Sequence, residues 1–276
     1  MPIFIAGVLL AASAYISPQV VSRANKTIQS EDSQSEAQQL WERAVAAKGG
    51  RERLRGVKCL YVKRIQPEGD RDYQFHVFPD FSFNYTYGGR LEDSAIEVYN
   101  HRKATTWWLP SSTNVAQAIP RERRGDDSSG NIIAQFLYLM VTNWMDPKPL
   151  RVRKERVGLK RVDVIEVDAN GWPVDYYLDP KTFLPTKVVS EYSFMSHEKR
   201  EKEQVVKLDD YASINGVMMP RKLSYSYTYA NARRRWTENV NYELNPPYDP
   251  QFFEQPPTPR TLPESWRAKS DAVKKP

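Results

Sequence analysis

Only one cysteine, Cys59, and three histidines, His76, His101 and His197, occur among the 276 residues. A lone thiol excludes an internal disulfide. Histidines in separate segments, with no second cysteine, leave no ligand spacing for zinc. Gly-x-Ser-x-Gly elbows, Gly-x-Gly-x-x-Gly turns and P-loops are all missing. Adjacent acids such as Asp126-Asp127 and Asp209-Asp210 do not fill the gap, because neighbours on a strand point to opposite faces. The chain is therefore expected to be no enzyme and to hold no cofactor or metal. Cys59, inside the strand pattern Cys59-Leu60-Tyr61-Val62, reads as a small buried hydrophobe. His76, between Phe75 and Val77, falls on the polar side of its strand and is expected to be solvated.

Long apolar runs are scarce as well. The first, Ile3 to Ile16, is too short to span a bilayer comfortably, and it ends in small residues at Ala12 and Ala14. That is the form of a secretory signal, although no Lys or Arg precedes Arg23. Residues 1–24 are expected to be a signal peptide or N-terminal anchor, with a second cut possible after Ala24 and a buried helix as the alternative. Acylation is disfavoured, since no cysteine follows the run. The periplasm is the expected compartment, with an inner-membrane tether if the segment is kept. Polar, Ser- and Gln-rich residues 25–39 read as a linker, residues 40–257 as one domain, and residues 258–276 as a disordered Pro-rich and basic tail.

What is abundant is aromatic side chains in strict alternation. The chain has 16 Tyr and 10 Phe. Leu223, Tyr225, Tyr227 and Tyr229 share one face of a strand, and Trp236, Val240, Tyr242 and Leu244 repeat the pattern after a break at Arg233-Arg234-Arg235. Phe81, Phe83, Tyr85 and Tyr87 alternate in the same way, as do Tyr73, Phe75 and Val77. The turn signals Asn170-Gly171 and Asn215-Gly216 separate further strand patterns. About ten or eleven antiparallel strands in meander order follow. Helical spacing is confined to Leu40, Trp41, Ala44, Val45 and Ala47, capped by Gly49-Gly50, and to Asn131–Met145. In the latter, Ile132, Ile133, Phe136, Leu137, Leu139, Met140, Val141 and Trp144 cover more than half the circumference. That segment is either a core helix capping the sheet or a lid over a greasy cavity.

Charge gives less. The net charge of +6 is compatible with anionic headgroups or acidic partners. Arg151, Arg153, Lys154, Arg156, Lys160 and Arg161 read as a solvated strand face that guards edges against aggregation. Arg233, Arg234 and Arg235 are expected at a hairpin tip, where they would meet a lipid headgroup or an envelope protein. Nucleic acid is an improbable partner, because the aromatics alternate with Ser and Thr rather than Lys and Arg.

Four motifs occur in a fixed order. Gly49-Gly50-Arg51-Glu52-Arg53-Leu54-Arg55-Gly56-Val57-Lys58 follows the first helix. Tyr177-Leu178-Asp179-Pro180-Lys181-Thr182-Phe183-Leu184-Pro185 and Ile214-Asn215-Gly216-Val217-Met218-Met219-Pro220 come next. Asn245-Pro246-Pro247-Tyr248-Asp249-Pro250-Gln251-Phe252-Phe253 is the last. Together, over about Leu40–Pro256, they resemble the LolA-like outer-membrane lipoprotein-sorting proteins. The resemblance implies a mainly β, unclosed and curved antiparallel barrel around a hydrophobic cavity, with an N-terminal helix and an inserted helix as lid. It also implies carriage of acyl chains through the periplasm, or use of the cavity for sensing envelope stress. No functional residue is transferred from that family, and the charged loop Pro110–Gly130 and the Pro-rich tail depart from the carrier. From the residues themselves, the expected lining is Phe81, Phe83, Tyr85, Tyr87, Ile133, Phe136, Leu137, Met140, Tyr225, Tyr227 and Tyr229. The same residues would equally make a dry core.

Overall fold

The computed structural model describes residues 18–65, 71–87, 95–110, 115–118, 131, 134–169, 171, 173–190, 204–229 and 232–258. The expectations for the export run before residue 18, most of the 110–130 loop and the tail beyond residue 258 lie outside them. Alternating residues generate strands β1 (Cys59–Ile65), β2 (Arg71–Val77), β3 (Phe81–Tyr87), β4 (Ala95–Asn100), β5 (Thr105–Pro110), β6 (Gln117–Ala118) and β7 (Lys148–Val157). Then follow β8 (Lys160–Asp168), β9 (Pro173–Leu178), β10 (Pro185–Ser190), β11 (Gln204–Ile214), β12 (Val217–Tyr229) and β13 (Ala232–Leu244). They form a single open sheet in the order β6-β5-β4-β3-β2-β1-β13-β12-β11-β10-β9-β8-β7. The expected mainly β, unclosed antiparallel architecture is therefore found, with thirteen strands among the described residues where ten or eleven were expected. The strands over Leu150–Glu155 and Val162–Val167 were expected as β7 and β8, whereas the turn between β4 and β5 at residues 101–104 and the two-residue β6 carry no Gly, Pro or alternation signal and were not counted.

Helix α1 (Pro18–Lys48) begins well before Leu40, so residues 25–39, expected to be a linker, are helical. Its buried stripe is Ala37, Leu40, Trp41, Ala44, Val45 and Lys48, the i, i+3, i+4, i+7 spacing that one helix face requires. Lys48, not Ala47, completes it. The helix ends where the Gly50 amide bonds the Val45 carbonyl and the Gly49 amide bonds that of Ala46. Both glycines have positive φ, 129° and 88°, a conformation that Cβ opposes. Gly49 also lies so close to the β11–β12 turn that an added Cβ would sit 2.4 Å from the Gly216 carbonyl oxygen. A short helix α2 (Arg51–Arg55) leads into β1.

Helix α1 packs against β7, β8 and β12. Five strand-to-strand steps separate β12 from β7, so a flat sheet would place them about 24 Å apart. A helix laid across a flat sheet would contact the strands between them most closely, whereas α1 contacts β7, β8 and β12 more than β9, β10 and β11, so the sheet curves around it. We call the face toward α1 inner and the other outer.

The segment expected as a helix over Asn131–Met145 is a π-helical turn, Gln135–Leu139, closed by the Met140 amide on the Gln135 carbonyl. At Met140 the backbone turns to φ 71° and the helix stops. The cause is a buried polar latch. The Gln135 amide donates to the Met140 and Met145 carbonyls, the Thr142 hydroxyl donates to Gln135 Oε1, and the Thr142 hydroxyl accepts from the Met145 amide. These bonds satisfy carbonyls that the interrupted helix leaves open. The apolar residues around them, Phe136, Leu137, Leu139, Met140 and Val141, are all buried against the inner face.

Candidate functional site

The pairing register decides which side chains share a face. Leu60 and Val62 of β1 lie opposite Leu244 and Tyr242 of β13, and Tyr225 of β12 lies opposite Trp236. These residues face α1, together with Ile165, Val167, Tyr176, Val188, Val206, Leu208, Met219 and Leu223. On this half of the sheet the inner face is apolar. Beyond β1 the polarity inverts. Leu60 pairs with His76, Val62 with Gln74 and Arg64 with Asp72, and these in turn pair with Ser82, Asn84 and Thr86. The inner face of β2 and β3 is therefore polar. Their aromatic residues point outward and build a second core of Tyr73, Phe75, Val77, Phe81, Ile96, Val98 and Leu109.

That outer core is closed by the last helix, α3 (Gln251–Glu254). Phe253 stacks on Phe81 at 4.9 Å between ring centroids, and its carbonyl accepts a hydrogen bond from Asn100. Cys59 belongs to the same core, as expected of a buried thiol, and its Sγ contacts the Pro246 carbonyl at 3.3 Å. Burial pushes that thiol above its ordinary value.

The residues expected to line one cavity are thus divided between two faces. Phe136, Leu137, Met140 and Tyr225 meet on the inner face. Phe81 is on the outer face. The side chains of Phe83, Tyr85, Tyr87, Tyr227 and Tyr229 lie outside the described set, as does Ile133 altogether. Arg233, Arg234 and Arg235 are not a hairpin tip but the first rungs of β13, paired with Thr228, Tyr227 and Ser226. Arg233 and Arg235 are exposed, and Arg233 donates to Ser226 Oγ at 3.0 Å.

A buried polar belt lies where the inner face changes character. Arg64 donates two hydrogen bonds to Glu238, from Nε at 2.6 Å and Nη2 at 2.8 Å, and a third to Asp72 at 3.0 Å. The Glu238 side chain is 1% exposed and that of Arg64 14%. Removing one partner of such a pair strands the other in a poorly solvated site. The Trp236 indole also donates to Glu238, at 2.7 Å, and its ring stacks on Tyr225 at 4.6 Å. The Arg64 guanidinium lies 5.2 Å from the Tyr225 ring centroid, within range of a cation–π contact. Burial pushes the Tyr138 phenol up to about 12 and that of Tyr225 well above its ordinary value. The Trp41 indole nitrogen is buried without a hydrogen-bond partner among the described residues.

Two of the histidines, His76 and His101, separate in sequence, come together at the polar end. His76 is buried, 5% exposed, where solvation was expected. Its Nδ1 lies 3.0 Å from Asn131 Oδ1, and Asn131 in turn donates to the Pro79 and Phe81 carbonyls. Alternation had assigned His76 to the correct face, but the 131–145 segment covers that face. Burial, reinforced by His101 and Arg64, lowers His76 to about 4. Ser82 Oγ sits 3.1 Å from His101 Nε2. A cavity of about 230 Å³ adjoins them, lined by Pro79, Asp80, His101, Arg102, Asn131 and Trp144. Ser82 is buried and outside that lining, and the acid in the cavity wall, Asp80, is held by Arg102 at 2.5 Å. The arrangement is suited to holding the β2–β3 and β4–β5 turns together. Among the described residues no group of three metal-ligating side chains occurs.

Lys48 is a further buried titratable group, 1% exposed. Its ammonium donates to the Met218 carbonyl and lies 5.3 Å from the Tyr211 ring centroid, and burial lowers it to about 7. It ties the end of α1 to β12. Sequence reasoning passed over it because a lysine beside Gly49 reads as an exposed helix end.

No helix among the described residues is long and apolar enough to cross a membrane. No family model and no curated protein matches the chain. Among solved structures, it is similar to a LolA superfamily protein from Nitrosomonas europaea, with 13% identity and a TM-score of 0.45 over 77% of this chain and 97% of that one. It is also similar to a DUF1329 family protein from Desulfovibrio piger, with 12% identity and a TM-score of 0.42 over 79% and 97% of the two chains.

Proposed function

We propose that this chain is a non-enzymatic periplasmic binding protein that carries an acyl chain, from a lipid or a lipoprotein, against the inner face of its open barrel. The observation that carries the proposal is the cover of that face. From β7 round to β1 the inner face is continuous, apolar and tyrosine-rich, and among the described residues its cover is helical: α1 and the Gln135–Leu139 turn. Apolar contact of this kind is not directional, so a cover and a cargo compete for the same surface. An acyl chain brings about 0.8 kcal/mol per buried CH₂. Full burial of Leu40, Trp41 and Val45 contributes about 1.5–3 kcal/mol each. A long acyl chain therefore matches what it would displace, as a reversible carrier requires. The belt of Arg64, Glu238 and Trp236 marks the polar limit of that surface. Phe81, in the outer core with Phe253, is left off it.

The test is native mass spectrometry of the full chain exported with its own leader, followed by organic extraction. A stoichiometric acyl species, absent after extraction and restored by added lipid, is the expected result. A bare protein that takes up no lipid rejects the carrier. It would support instead a protein-binding or stress-sensing module that meets an envelope partner through Arg233, Arg234 and Arg235.

A further inference from the structure

The hairpin joining β7 to β8 combines two properties that a solvated edge does not require together. Leu159 at its tip is 93% exposed and Val157 beside it 49%, held out by a two-residue turn with Gly158 at φ 63°. Around them Lys154, Arg156, Lys160 and Arg161 are all exposed, and none forms an ion pair among the described residues. Asp163 is the acid opposite Lys154, whereas Arg156 and Arg161 lie directly opposite each other in the ladder. Like charges so placed destabilise a hairpin, unless an anion lies across them. Farther down the same strands, Arg151 and Arg153 are neutralised by Glu166 and Asp175. Charge without an ion-pair partner among the described residues is thus dense at the tip, where Lys160 bears on the Asp179 carboxylate without bridging to it.

In an antiparallel meander, successive connections alternate between two rims of the sheet. The Gly158-Leu159 turn shares its rim with the turns at residues 179–184 and 215–216 and with α2. Lys181 is exposed on that rim. Arg233, Arg234 and Arg235 start β13 at the other rim.

We infer that the β7–β8 hairpin docks this protein on an anionic lipid bilayer, with Leu159 and Val157 entering the interface and Lys154, Arg156, Lys160 and Arg161 lying against the headgroups. An apolar tip ringed by unpaired cations has the two attractions that interfacial binding needs, apolar burial and charge. Edge protection alone accounts for the cations but not for an exposed leucine between them. The inference does not depend on what the inner face binds.

The experiment is co-sedimentation of the full chain with vesicles of 30% phosphatidylglycerol in phosphatidylcholine and with vesicles of phosphatidylcholine alone, at low and high salt. Wild type is expected to bind the anionic vesicles preferentially and to be released by salt. Each cation lost from an anionic surface weakens binding about fivefold. Arg156→Glu with Arg161→Glu is therefore expected to lower partitioning more than tenfold, and Leu159→Glu to lower it at both salt concentrations. Arg233→Glu with Arg235→Glu, on the opposite rim, is expected to bind as wild type. These exposed positions leave the core intact, which far-ultraviolet circular dichroism checks. Equal binding to both vesicle types, unchanged binding by the hairpin variants, or loss confined to the Arg233 and Arg235 variant overturns the inference.

Discussion

His76 shows how one side chain acquires its properties from what covers it. With an imidazole lowered from 6.5 to about 4 by burial, the folded protein keeps His76 neutral between those values while the unfolded chain protonates it. The unfolded state then binds more protons, and stability falls as pH drops through that window by about 1.4 kcal/mol per unit. The facing groups His101 and Arg64 act in the same direction. His76→Gln is expected to remove this slope, so that its denaturant-melting stability and that of wild type converge between pH 6.5 and pH 4. Parallel curves would show that His76 does not titrate as a buried group. At this scale the sequence was legible where a residue's role follows from its own strand. Cys59 is buried as expected, and His76 does share a face with the polar set. It was illegible where a distant segment supplies the surroundings, as Asn131 does for His76 and Glu238 for Arg64.

Among the elements, α1 carries the heaviest demand, because its end is fixed by contact with a turn about 170 residues away. Gly50 adopts φ 88° and ψ 151°, a region that side chains oppose by about 1–3 kcal/mol, but an added Cβ meets nothing within 4 Å. At Gly49 an added Cβ meets both an unfavourable φ and the Gly216 carbonyl oxygen at 2.4 Å. Gly50→Ala is accordingly expected to cost about 1–3 kcal/mol, and Gly49→Ala clearly more, about 3 kcal/mol or above, in urea unfolding. Equal costs would mean that α1 does not rest on the β11–β12 turn. The helix itself was visible from Leu40 and Trp41 and its glycine stop. Its start was not, since polar residues 25–39 carry no apolar period to signal it. The Asn131–Met145 segment failed for a related reason. Its apolar residues surround more than half a helix because they are buried on several sides, and periodicity cannot reveal that Gln135 and Thr142 bond each other and end the helix after Leu139.

In the whole molecule, the alternation of Tyr and Phe gave the sheet, its antiparallel order and its meander, since each hairpin is local. Which face is inner is a long-range property. It is fixed by the pairing of β1 with β13, the first and last strands of the sheet in sequence. Two aromatic rows that look alike in sequence therefore end on opposite sides, Tyr225 facing α1 and Phe81 facing Phe253. The proposed acyl-chain binding uses the inner one, the face that α1 covers. The measurement that tests this most directly is photo-cross-linking of the full chain with a diazirine-bearing long-chain fatty acid, with adducts mapped by peptide mass spectrometry. Adducts on inner-face residues of β12 and on the 134–145 segment, at Tyr225, Met219, Phe136 or Met140, are predicted, with β3 unlabelled. Labelling confined to Phe81, Phe83, Tyr85 and Tyr87, or no labelling that unlabelled fatty acid competes away, would contradict the account.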